Sequence, residues 1–150
     1  MENFGMTAAA PNAAMVCIHS YDPFSGEIFH LYSEESIKIR SAYQICVELD
    51  KLCDEIGFPI SNMSLRSFGN RTETPRRNYR EANRVMSFDK LTEKNGDQGT
   101  FMVHVQFRQN ATWQGQVTWM EKKETQNFRS ALELMKLIDS ALDSDAEEPK

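Results

Sequence analysis

The chain predicts an α+β fold: two pseudo-symmetric ββα units joining their strands into a four-stranded antiparallel sheet, with helices packed on one face. Three observations lead there. Stretches near each end alternate apolar and polar residues with the period of a half-buried strand, and each runs into an apolar stripe at helical spacing. The later region also repeats the earlier one. Slid back by 89 positions, Val105, Gly115, Glu124, Arg129, Ser130, Ala131, Asp139 and Asp143 fall on Val16, Gly26, Glu35, Arg40, Ser41, Ala42, Asp50 and Asp54 without a gap. Self-similarity at a constant offset marks a repeated unit. Finally, a hairpin with one helix cannot bury its apolar face alone, so the two units must pair.

The first unit, residues 14–57, opens with Val16 and Ile18 alternating with Cys17 and His19. Asp22 to Gly26 supplies turn residues, and a second strand follows from Gly26 to Tyr32. Ser36 is placed to cap a helix, with Glu34 and Glu35 near its positive end. Ile39, Ala42, Tyr43, Cys46, Leu49, Cys53 and Ile56 form the buried stripe of that helix, which Gly57 and Pro59 stop.

Residues 58–99 form a basic insert. Thr74-Pro75 is a good helix entry, which would place Arg76, Arg80 and Arg84 on one stripe with Arg77 beside it. The competing assignment makes Val85 to Leu91 a strand pairing with Phe101 to Phe107 across a turn at residues 93–97. In the second unit, residues 100–142, Val103, Val105, Phe107, Trp113, Val117 and Trp119 should face the core. Thr125 takes the capping place of Ser36, and Phe128, Ala131, Leu132, Met135, Ile138 and Leu142 repeat the helical stripe. Residues 143–150 read as a disordered acidic tail.

Composition fits one domain with an ordinary core, at 150 residues with 40% hydrophobic and 26% charged content. Apolar runs are a few residues long and Met1 to Met15 lacks the pattern of a secretory signal, so a cytoplasmic protein is expected. The odd count of three cysteines, with no CxxC, agrees with a reducing compartment. Net charge is −5, yet Arg66 to Lys90 carries +4 and the remainder −9. A basic segment on an acidic body is a candidate partner site.

No short catalytic motif is present: there is no GxSxG elbow, phosphate-binding glycine loop or HExxH. Cys17, His19 and His104 are too few for a zinc site, so neither metal nor cofactor is expected. Cys46 and Cys53 sit on the buried helical stripe, where a thiol is inert. His30 falls on Trp119 in the repeat and reads as a packed core residue. What remains is surface chemistry. His104, Gln106 and Arg108 on one strand, with Gln114, Gln116 and Thr118 on the next, make an organised polar sheet face. Phe29 and Leu31 on the corresponding face of the first unit suggest a homodimer contact.

The segments RQNATWQGQVTW and NFRSALELMKLIDSAL resemble a family of small uncharacterised proteins of anaerobic Firmicutes, which share a WQGxVxW hairpin and an FRSxLEL helix. That resemblance covers the last third of the chain and implies no activity. A second pattern, RxxxR at Arg76 to Arg80 followed by Asn110 to Gly115, is similar to the two motifs of PilZ domains, with Thr112 in the place of Ser. It would imply Arg76, Arg80, Asn110 and Thr112 as ligands of a cyclic dinucleotide on a β-barrel.

The sequence therefore points to a non-enzymatic binding or adaptor module for an acidic partner, protein or nucleic acid. Its recognition residues would be Arg76, Arg77, Arg80, Arg84, Arg108, Asn110, Gln114 and Gln116. The alternatives are a PilZ-like nucleotide sensor and an enzyme without a recognisable motif.

Overall fold

The computed structural model describes residues 12–57, 84–108 and 113–147. In chain order the elements are β1 (Ala14–Tyr21), β2 (Phe24–His30), β3 (Ser33–Ile39), α1 (Ala42–Ile56), α2 (Phe88–Leu91), β4 (Gly99–Phe107), β5 (Gln114–Trp119), β6 (Glu124–Phe128) and α3 (Ala131–Glu147). The fold is α+β, with a six-stranded antiparallel sheet in the order β3-β2-β1-β4-β5-β6.

Six strands replace the expected four, because each half contributes three strands before its helix. β3 and β6 are the edges of the sheet, and each buries only its last residue deeply: Ile39 in one, Phe128 in the other. Water on the remaining positions leaves these strands polar, so they read as linker and helix start. The helices accordingly begin later than the sequence suggests. Ser36 and Thr125 are strand residues, and the caps are Ser41 and Ser130. Ser41 Oγ accepts the Gln44 amide at 3.1 Å while Gln44 Oε1 accepts the Arg40 amide at 2.9 Å. Ser130 and Glu133 repeat the arrangement at 3.0 Å and 2.9 Å, the latter to the Arg129 amide. Each is a variant of the capping box in which the returning side chain takes the amide one residue before the cap, so side chains still satisfy backbone donors at the helix start. At its other end α1 stops on Gly57 in the left-handed region, φ 69°.

The pairings place the two halves about the β1–β4 seam, where Ala14 faces Val103, Met15 faces Met102 and Val16 faces Phe101. The outer strands keep the 89-residue offset: Gly26 pairs with Ile39, and Gly115 with Phe128. The inner strands slip. Ile28 faces Val16, whereas Val117 faces Val103 rather than Val105. Val103, two positions earlier than the gapless match, therefore takes the place of Val16. A shift of two keeps every side chain on its own face.

α1 and α3 cover one face, burying Val16, Ile18, Ile28, Phe101, Val103 and Val117 against Ile45, Leu49, Leu134 and Ile138. Tyr43 and Leu132, expected in the stripes, project into solvent at 70% and 56% exposure. Both lie in the first turn of their helices, ahead of the point where each helix settles on the sheet. α3 runs on through Glu147, so the acidic end is helical to that point.

The opposite face is partly closed by residues 84–91. Met86 and Leu91 pack on Met15, Cys17, Leu31 and Met102, and the amides of Val85 and Met86 both donate to the Leu31 carbonyl, at 2.8 and 3.2 Å. Two expectations meet this segment. Leu31 is wholly buried within the chain rather than exposed on the sheet face, and Lys94 Nζ lies 4.9 Å from the centroid of the half-buried Phe29 ring. Residues 85–91 also form no strand against β4, since β1 and β5 already hold its two sides. The proposed helix entry at Thr74 lies outside the described residues. Among the described residues the sheet has two ends, β3 and β6, rather than the closure of a barrel.

Candidate functional site

Of the predicted recognition residues, Arg76, Arg77, Arg80 and Asn110, with Thr112, lie outside the described residues. Arg84 is exposed beside the segment that covers Leu31, Gln114 is exposed at the start of β5, and Gln116 is half-buried. Arg108 is different. A bulge between Val105 and Phe107 sets two residues of β4 against one step of β5, which reverses the side-chain parity beyond it. Phe107, expected inside, is 53% exposed, and Arg108, expected outside, is 5% exposed.

Arg108 Nη1 donates to Asp50 Oδ1 at 3.0 Å and Asp54 Oδ1 at 2.8 Å, and Trp113 Nε1 donates to Asp50 Oδ1 at 3.3 Å. Burial alone would make the guanidinium easier to deprotonate, but the bonds to Asp54 and Asp50 outweigh it and raise its pKa. Arg108 thus ties the end of β4 to α1. The sequence anticipated both partners as repeat-matched acids, but not that they converge on one cation.

A second polar cluster, unforeseen from the sequence, lies on the outer face of the first half. Glu27 accepts His19 Nε2 at 2.7 Å, Ser36 Oγ at 2.7 Å and Lys38 Nζ. These bonds, from Lys38 first, then Ser36 and His19, lower the Glu27 carboxyl to about 2. On the other side of the imidazole, the Asp97 amide donates to His19 Nδ1 at 3.4 Å. Period-two spacing on neighbouring strands was the signal: Glu27 pairs with Lys38, and His19 lies two residues beyond Glu27's partner Cys17. It was hidden because Ser36 read as a helix cap. Such a carboxylate stays charged and fully bonded, an arrangement suited to structure more than to proton transfer.

Of the predicted polar face of the second half, His104, Gln116 and Thr118 share one side of the sheet, but Arg108 has turned away and Thr118 is fully buried. His104 faces Gln116 and Met102 faces Thr118 across β4 and β5. Thr118 Oγ1 and Thr125 Oγ1 lie 2.9 Å apart. His104 Nδ1 and Gln116 Oε1 are both buried without a hydrogen-bond partner, and burial lowers the pKa of His104. A neutral imidazole and an amide, side by side, thus hold unused hydrogen-bonding capacity.

The thiols do not add a nucleophile. Burial pushes Cys17 up to about 12 and Cys46 and Cys53 up to about 11. His30 is buried at 8% exposure, and burial lowers its pKa. Among the described residues, no three metal-binding side chains converge, and no helix is long and apolar enough to cross a membrane.

Beside the sheet, between α3 and the β5–β6 edge, is a cleft of about 390 Å³. Its apolar wall includes Phe101 and Trp119, whose rings stack at 6.4 Å with 23° between their planes. Glu124, Gln126 and Ser140 supply its polar groups. Set against known proteins, the chain matches no family model, no curated protein and no solved structure.

Proposed function

We propose that this protein is a non-enzymatic binding module that recognises an acidic partner through the outer face of β4 and β5 together with the cations of the 58–99 insert. The observation that carries the reading is the His104–Gln116 pair, two half-buried polar side chains on adjacent strands whose Nδ1 and Oε1 atoms are buried and left unbonded. Leaving buried polar atoms unpaired is costly, and Gln116 Oε1 can only accept, so affinity is gained from a partner's peptide N–H donors, while its carboxylates answer the cations. The basic insert supplies the charge complement, and Arg84 stands exposed at its described end. An acidic protein segment is favoured over nucleic acid, because the chain is acidic overall and this face lacks a pair of stacking aromatics.

The test is binding of labelled poly-glutamate and of single-stranded RNA at low and moderate salt. Poly-glutamate should bind and weaken with salt, and Gln116→Ala with Arg84→Ala should lower affinity several-fold at unchanged melting temperature. Preference for RNA with a steep salt slope would move the partner to nucleic acid. Binding of neither polymer would remove the reading.

Two related points belong to the same proposal. The halves are read as copies of one unit, supported by the shared offset of the outer strands and the matched pairings about Met15 and Met102. A cytoplasmic location is read from Cys17, Cys46 and Cys53, all free thiols.

A further inference from the structure

We propose that the cleft between α3 and the β5–β6 edge is a second binding site, for a small monocation carrying an aromatic body, such as an arylalkylammonium. At about 390 Å³ it falls in the size range of small-molecule pockets. Trp119 offers its ring, backed by the buried Phe101, and Val117, Leu137 and Ala141 complete an apolar lining from which a ligand's hydrocarbon would displace water.

Charge selects the ligand. Glu124 is the charged residue among the described lining residues, so the site favours a positive head group. The ring of Trp119 favours the same sign, since an aromatic face attracts cations. The protein already shows this preference: Lys122 Nζ lies 5.8 Å from the Trp119 ring centroid. Lys122 is therefore a competitor for the site, which gives the inference a distinctive consequence.

The opening is not a requirement of the fold. Under the 89-residue offset, the places of Ser140 and Ala141 are held in the first half by Lys51 and Leu52, that of Gln126 by Ile37, and that of Trp119 by His30. Leu52 and His30 are buried at 3% and 8% exposure, and Ile37 packs on the core. The second half thus keeps small side chains where the first half fills the same layer.

The experiment is a titration of the full-length protein, followed by tryptophan fluorescence, with three probes: 2-phenylethylammonium, 3-phenylpropanoate and 3-phenylpropanol. Saturable binding is expected for the ammonium, with a several-fold preference over the carboxylate, the scale of one partly shielded ion pair. Glu124→Gln should erase that preference while leaving the alcohol unchanged. Lys122→Gln should tighten the ammonium. Ala141→Leu, which copies Leu52, should weaken all three probes by tenfold or more with the circular-dichroism spectrum unchanged; if that variant misfolds, Ser140→Leu makes the same test. Absence of saturation with every probe, an equal or stronger response to the carboxylate, or weakening of the ammonium by Lys122→Gln would each overturn the inference.

Discussion

The Tyr21 hydroxyl donates to Asp139 Oδ1 at 2.5 Å, joining the end of β1 in the first half to α3 in the second. Arg108 makes the reverse connection, from the end of β4 to Asp50 and Asp54 on α1. Asp50 and Asp139 are matched by the 89-residue offset, so each helix is held by the other half's inner strand. The crossed ties explain why neither half should be stable without the other.

Arg108→Ala would leave Asp50 and Asp54 as neighbouring like charges beside a vacated, buried site. A loss of about 2–4 kcal/mol in urea unfolding is expected. Unchanged stability with weakened partner binding would instead return Arg108 to the recognition surface.

Tyr21 predicts an alkaline signature. The hydrogen bond to Asp139, then burial, raises its pKa from 10.0 to about 12. A raised pKa stabilises the protonated fold, so this contribution is present below pH 10 and is lost as pH climbs towards 12. Tyr21→Phe should be less stable than the natural chain at neutral pH, and the gap should close across that window in pH-dependent melting.

Glu27 predicts the opposite limb. Its folded pKa of about 2 lies below the ordinary 4.5, so its stabilisation is complete above 4.5 and disappears as pH falls towards 2. Glu27→Gln should cost about 1–3 kcal/mol at neutral pH and show a shallower acid transition. Parallel acid transitions for the two proteins would contradict the assignment.

The helix caps should behave as two equal and independent parts. Ser41→Ala and Ser130→Ala are each expected to lower stability by about 1 kcal/mol, and the double variant by their sum. Chemical denaturation of the four proteins measures this directly. A much larger loss at one position would show that its serine does more than cap.

Gly115 sits where a Cβ would come within 2.1 Å of the His104 carbonyl oxygen, and a Cβ on Gly26 would come within 2.5 Å of the Cys17 carbonyl oxygen. Because these obstacles are backbone atoms, Gly115→Ala should open the β4–β5 pairing and cost several kcal/mol. Loss of amide-exchange protection on both strands would report it.

Much of this architecture is legible in the residues alone. Alternation in the inner strands and the helical stripes of Cys46, Leu49, Cys53 and Ile56 or Ile138 and Leu142 place the α+β class and the main core, because burial on one face imposes a period. The offset likewise exposes the matched serines and acids. The third strand of each half escapes this logic: at a sheet edge only Ile39 and Phe128 are deeply buried, so no apolar period is left to read. Only the tertiary structure could decide the bulge that exchanges Phe107 and Arg108, the slip that puts Val103 opposite Val117, and the cleft beside Trp119. Each depends on contacts between residues distant in the chain, whereas periodicity records only which side of its own element a residue occupies.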